Sequence, residues 1–356
     1  MVLPGRLYRY GDQVRRQFGH LWDATGLGPV ETAFRVAFTT PGVRLRAYGG
    51  THANRPVLLI VPAPIKRPYL WDLRPDVSVV QRCLAAGLQV YMLEWMEPDA
   101  RMQAFGLAEY ADRLIRDCLQ VVQAETGRQR VFLAGHSLGG IFAAIFAALY
   151  PEQVQGLVLL GTPLHFGDNT GVLSALAALA PRAELLTAQM GNVPGTFLNG
   201  ASFIASPVTF VGLRRLDWLR SLPDDQARQT MLRVERWSLD EVPLARRLFE
   251  EVIEWLYREN RFMRGELLIA GRRVLPEAVQ APLLSVVYAD CDIVPPTAVL
   301  PFHRAVQSPT AQVLWYPGDT GVSVQHLGML VGRNAHQTLW PEIMHWLHTQ
   351  SGIQMP

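Results

Sequence analysis

The run Val57–Val61 is apolar at every position and is bounded by Pro56 and Pro62. A run that does not alternate has no wet face, so it reads as a strand buried on both sides, as in a parallel sheet. Residues 90–93, 131–134 and 157–160 repeat the pattern. Between these runs the apolar spacing changes to three and four. Residues 76–86 place Val77, Val80 and Leu84 on one side and end at Gly87, a residue suited to a helix C-cap. Residues 107–125 gather Leu114, Ile115, Cys118, Leu119 and Val122, and residues 138–149 form a third helix stopped before Pro151. Strands alternating with helices predict a mostly parallel sheet flanked by helices.

The alternation breaks after the fourth strand. Residues 173–180, 224–237 and 244–257 have helical periodicity, and convincing strands are few until 283–288 and 313–315. A last helix covers 335–348, with Leu339, Ile343 and Trp346 inward. Residues 165–281 therefore read as an inserted helical cap. The core is then 51–164 together with 282–356, and residues 1–50 are an N-terminal lead-in. The apolar stretches of the cap, Phe203-Ile204 and 208–213, suit either a gate or ordinary core.

Composition narrows the class. A chain of 356 residues with 49% hydrophobic content can bury one large core, with or without an insertion. Thirty-three basic against 31 acidic residues leave a charge of +2, no electrostatic reason to expect nucleic acid. Nearly all the basic residues are arginine; Lys66 is the one lysine. Three cysteines, Cys83, Cys118 and Cys291, make neither a disulfide framework nor a zinc motif. The first 16 residues carry Arg6, Arg9, Asp12, Arg15 and Arg16 without a continuous apolar stretch, unlike a secretory leader. The longest apolar stretches, 141–150 and 172–180, are too short to span a bilayer. The expectation is a soluble cytoplasmic protein with no transmembrane segment.

The sharpest chemical signal is Gly135-His136-Ser137-Leu138-Gly139, between a strand and a helix. This is the context of a nucleophile elbow and predicts an α/β-hydrolase fold. Glycines two residues either side of the serine keep side chains out of a tight turn. The helix start behind the hydroxyl favours developing negative charge. A serine hydroxyl needs a base. His326 follows the last strand and is the candidate; His136 reads as structural, and His336, His345 and His348 as packing or surface residues. The acid that orients the imidazole should follow the strand ending at Tyr288, where Asp292 is preferred and Asp290 is the reserve. The oxyanion needs two N–H donors. Leu138 supplies one. Pro62 and Pro64 have no N–H, so Ile65, with Ala63 behind it, supplies the other. No phosphate-binding loop, metal cluster or cofactor motif is present, so neither cofactor nor metal is expected.

Several stretches carry a family likeness: residues 66–73, 87–95, Gly191-Asn192-Val193-Pro194, 259–267, Arg272-Arg273-Val274, Val294-Pro295-Pro296 and 326–332. From about Arg55 to Leu347 the chain resembles the catalytic subunit of polyhydroxyalkanoate synthases, especially the short type that works with a second subunit. Three departures stand out. The family nucleophile is a cysteine in Gly-x-Cys-x-Gly, where this chain has Ser137. The family acid is followed by two residues before Val-Pro, whereas only Ile293 follows Asp292. Thr162-Pro163-Leu164 is followed by His165, where the family often has an acid.

The resemblance implies an acyl ester or acyl-CoA substrate, and a homodimer or a second synthase-type subunit as partner. A thiolate forms readily and leaves well, so an acyl-cysteine passes its chain on; an acyl-serine is an ordinary oxygen ester. Three readings follow. The leading one is a serine hydrolase of hydroxyacyl or fatty-acyl esters and thioesters on a synthase-like scaffold. The second is a polymerase that uses serine on 3-hydroxyacyl-CoA. The third is a non-catalytic granule-associated protein, against which the complete set of Ser137, Asp292, His326 and oxyanion positions speaks.

Overall fold

A computed structural model describes residues 3–50, 52 and 55–352. Met1, Val2, Thr51, Ala53, Asn54 and residues 353–356, which fall within the expected lead-in and core ranges, lie outside the described residues. The strands are β1 (Phe34–Thr40), β2 (Val43–Tyr48), β3 (Val57–Val61), β4 (Gln89–Trp95), β5 (Val131–His136), β6 (Val154–Leu160), β7 (Leu267–Ile269), β8 (Arg272–Val274), β9 (Leu283–Tyr288) and β10 (Ala311–Tyr316). Eight of them make one sheet in the order β1-β2-β4-β3-β5-β6-β9-β10, and β7 and β8 form a separate hairpin. From β4 to β10 every pairing is parallel.

The continuous apolar run of β3 has the predicted cause. Val57, Leu59 and Val61 enter the core on one face, with α3 (Leu114–Thr126) and α4 (Leu138–Leu149). Leu58 and Ile60 enter the core on the other, with α2 (Val79–Ala85) and α13 (Trp340–Ser351). β4 is longer than expected because its polar ends are taken in. Gln89 bonds the His52 and Arg55 carbonyls at 2.8 and 3.1 Å, and Glu94 accepts from Arg46 Nε at 2.9 Å.

Residues 1–50 are more than a lead-in. β1 and β2 form an antiparallel hairpin that extends the sheet beside β4. Their alternation of apolar and polar residues is the signature of a half-wet strand. Helix α1 (Leu3–Trp22) docks through Asp12, whose Oδ1 accepts from Thr196 N and Oγ1 at 2.7 Å each. Between β6 and β9 the chain makes α5 (Val172–Leu179), α6 (Ala183–Thr187), α7 (Gly195–Ala205), α8 (Arg214–Ser221), α9 (Asp225–Ser238) and α10 (Arg246–Glu251). The β7–β8 hairpin is an addition to this helical stretch. Its turn, Ala270-Gly271, has φ of 48° and 78°, the handedness that joins two twisted strands. After β9 come α11 (Pro296–Ala305) and α12 (Gln325–Val331).

Candidate active site

β5 ends at His136 and α4 begins at Leu138, so Ser137 alone makes the turn between them. Its φ of 54° and ψ of −126° lie outside the regions that L residues normally adopt. The flanking glycines are dictated by contact. A Cβ on Gly135 would lie 2.5 Å from Gly140 Cα, and one on Gly139 would lie 2.1 Å from the Val61 carbonyl oxygen. Ser137 N donates to the Leu160 carbonyl at 3.1 Å, which ties the turn to β6. Leu138 opens α4, where the first amides have no carbonyl partner within the helix.

His326 is the second residue of α12, after the last strand. Its ring is buried, and Nε2 has no hydrogen-bond partner. Ser137 and His326 line the same cavity, of about 190 Å³. The His136 ring lies 4.5 Å from the His326 ring, centroid to centroid, and its Nε2 donates to the His326 carbonyl at 2.9 Å. Gly161, just after β6, leaves room for the imidazole: a Cβ there would sit 3.0 Å from His326 Cε1. Burial, and next His136, push the His326 imidazole well below its ordinary value, so the ring is neutral and able to accept a proton. Burial also brings His136 down to about 4.

Asp292, the residue expected to orient the imidazole, is turned elsewhere. Its Oδ2 accepts from Ser206 Oγ at 3.0 Å and from Thr209 Oγ1. Asp290 is exposed. The side chain against His326 Nδ1 is Cys291, with Sγ at 3.9 Å. The structure thus brings Ser137 and His326 together and brings neither aspartate to the imidazole. Adjacent side chains leave this turn in different directions, and two hydroxyls between α7 and α8 hold the charged one. Sequence reasoning missed Cys291, although the signal was present: Cys291 is followed by Asp292 and Ile293 before Val294-Pro295, the spacing that the synthase resemblance implies for its acid.

Ile65 and Ala63 line the same cavity. The loop is anchored from above. The Ile65 carbonyl accepts from Val242 N at 3.1 Å, and Lys66 Nζ bonds Glu241 Oε1 at 2.7 Å and the Ser238 carbonyl at 2.8 Å. Burial lowers the Lys66 pKa, and Glu241 opposes the shift. Leu173, Leu198, Phe210 and Trp237 cover the site from the helical stretch. Asp217 of α8 accepts from the amides of Gly321, Val322 and Ser323 at 3.0, 2.8 and 2.9 Å, and so clamps the loop that leads to His326. Among the described residues no cluster of His, Cys, Asp and Glu could hold a metal ion.

A serine at a strained strand-to-helix turn, and a buried histidine delivered after the last strand of a mostly parallel sheet, define the α/β-hydrolase class. The family described as alpha/beta hydrolase fold matches residues 71–236. More narrowly, the chain belongs to the family of poly(3-hydroxyalkanoate) polymerase PhaC subunits. It is 30% identical to that subunit of Allochromatium vinosum over 85% of this chain and 83% of that protein. It is 32% identical to that of Haloferax mediterranei over 83% of this chain, and it spans 59% of that longer protein. Among solved structures it is similar to a monoacylglycerol lipase of Paleococcus ferrophilus, with a TM-score of 0.56 at 16% identity, covering 86% of this chain and 99% of that one. A proline iminopeptidase of Mycobacterium smegmatis has a TM-score of 0.50 at 14% identity, covering 90% and 99%. These two likenesses concern the fold alone. The chain is an enzyme of the hydrolase and acyltransferase kind. Among the described residues no single helix is long and apolar enough to cross a membrane.

Proposed function

We propose that the chain transfers acyl groups through an acyl-Ser137 intermediate and releases them mainly to water, acting on hydroxyacyl or fatty-acyl esters and thioesters in the cytoplasm. The observation that carries this reading is the pairing of Ser137 with a buried His326 whose Nε2 is unbonded, in one cavity. Ser137 Oγ attacks the acyl carbonyl, and its proton passes to His326 Nε2. The amides of Leu138 and Ile65 receive the oxyanion; one such donor is worth about 3 kcal/mol. The leaving alkoxide or thiolate takes the proton from Nε2. Water, deprotonated by the same nitrogen, then cleaves the acyl-serine ester.

Family membership favours a second reading, in which the hydroxyl of another hydroxyacyl unit replaces water and a polymer grows. In both readings residues 165–281 act as a lid. A cavity of about 190 Å³ is smaller than the roughly 300–1,000 Å³ common for ligand pockets, so an acyl chain enters by displacing the cap. A second subunit or a second copy of the chain fits this reading as partner.

The test is incubation with 3-hydroxybutyryl-CoA and with short p-nitrophenyl esters, measuring free CoA, free acid and polymer. Free acid as the main product is the expected result; long polymer with little acid overturns hydrolysis in favour of polymerisation. In parallel, Ser137→Ala abolishes labelling by a fluorophosphonate probe. Labelling that survives removes Ser137 from its role.

A further inference from the structure

We propose that Cys291 stands behind His326 where a serine triad carries a carboxylate, and that the site works as a Ser137–His326 pair without a charged third residue. The inference rests on the acyl-Ser137 reading above and names the residue that positions its base.

The geometry is specific. Cys291 Sγ lies 3.9 Å from His326 Nδ1, the nitrogen that a triad acid would face. The thiol is held in place, because Sγ accepts from the amide of Val294 at 3.3 Å and the side chain is buried. Asp292 is one residue away, yet its carboxylate is engaged by two hydroxyls, Ser206 and Thr209. Reaching His326 would break both bonds. Asp290 faces solvent.

Lys66, Arg67, Arg214 and Glu241 line the same cavity, but burial and His136 are what act on the His326 imidazole, and four residues stand on its inner side. Cys291 faces it from the loop after β9, His136 from the end of β5, Gly161 from the end of β6, and Met329 flanks Gly161 from α12. None of the four carries a charge at neutral pH. Burial raises the Cys291 thiol to about 11, so it keeps its proton, and burial keeps His136 neutral. Set against the synthase resemblance of the sequence, Ser137 stands where that resemblance implies a cysteine nucleophile, and Cys291 where its spacing implies the acid.

The chemical consequence concerns the imidazolium. When Ser137 Oγ bonds to the acyl carbon, its proton moves to His326 Nε2 and then to the leaving group. Cys291 keeps its own proton throughout. A carboxylate at this place would stabilise the cation that forms between the two transfers; a neutral thiol gives only a weak contact to Nδ1. The pair is accordingly a slow catalyst that stays in its base form at acid pH.

The experiment compares Cys291→Asp and Asp292→Asn in the full chain, using p-nitrophenyl ester hydrolysis across pH. Cys291→Asp raises kcat by about tenfold or more, since a charge partner for the imidazole is restored. It also moves the acid limb of kcat/KM to higher pH, because a facing carboxylate raises the imidazole pKa. A purely space-filling role would not move that limb, so an unmoved limb overturns the proposal. Asp292→Asn leaves the limb in place and changes kcat by less than about threefold. A loss of about 100-fold in kcat with a shifted limb would identify Asp292 as the acid and overturn the proposal, even if Cys291→Asp failed to fold. Loss of the acyl-serine reading is distinguishable, because it would appear as surviving fluorophosphonate labelling in Ser137→Ala.

Discussion

His136 donates from Nε2 to the main-chain carbonyl of His326 at 2.9 Å, so the residue before the nucleophile holds the backbone of the base. The bond uses neither the Ser137 hydroxyl nor the His326 ring. It fixes the spacing of elbow and base before any substrate arrives. His136→Phe keeps a flat ring and removes the donor. The His326 carbonyl then loses this bond, at about 0.5–1.5 kcal/mol. The expected outcome is a lower melting midpoint together with a fall in kcat of about tenfold, since small misplacements of a catalytic group are expensive. Ester hydrolysis and thermal melts on the same preparation check it; an unchanged kcat would show that the bond does not set the geometry of the base.

Asp217 performs the same service from the other side. One carboxylate receives three consecutive amides, and His326 follows three residues after the last of them. Charge-assisted bonds of this kind are stronger than neutral ones. Asp217→Asn retains one acceptor oxygen and loses the charge. We expect kcat to fall by about 10- to 100-fold with a smaller change in KM, because Ser323 and Val324 of the clamped loop form only one edge of the cavity while the approach of His326 depends on the whole loop. A rise in KM with kcat preserved would mean that the clamp shapes the pocket instead.

Stability should depend on pH through the buried histidines. Burial lowers His136 and His336 to about 4 and His326 well below its ordinary value. For His336 the neutral tautomer is fixed by its partners: Arg82 Nε donates to Nδ1 at 3.0 Å, and Nε2 donates to the Leu330 carbonyl at 2.8 Å. The folded pKa values are depressed, so below about pH 6.5 the unfolded chain binds protons that the folded chain does not. Stability is full above that pH and declines towards pH 4, by up to about 3 kcal/mol for each of His136 and His336. Melting midpoints between pH 8 and pH 4.5 should be level at first and then fall below about pH 6.5. A midpoint that holds from pH 6.5 to pH 5 would contradict neutral burial of these rings.

What could be read from the sequence is what local chemistry decides. The run Val57–Val61 announces a strand buried on both faces, because nothing in it tolerates water. The elbow is legible because its two glycines are required by contacts within a few residues and with the neighbouring strand. β1 and β2 were also legible in principle: Arg44 and Arg46 alternate with Val43, Leu45 and Ala47. As antiparallel strands at the edge of the sheet they lack the continuous apolar run of the buried central strands. The direction of the Asp292 side chain was not legible. It is decided by hydroxyls 83 and 86 residues away, in the segment between α7 and α8, whose docking no local pattern reveals.

That distance has a consequence for how the molecule folds. The bond from His136 to His326 closes 190 residues of chain, and the Asp217 clamp closes 104 to 106. Contacts of such separation form after the ordering entropy of the intervening segments has been met, and they slow folding relative to local ones. The contacts that hold the turn, Ser137 to Leu160 and Gly139 against Val61, span shorter lengths of chain than those that deliver the imidazole. The hydroxyl and its base become partners only when the sheet, the helical excursion and the C-terminal helices have all come together, so reactivity at Ser137 is a measure of completed folding that helix content alone cannot give.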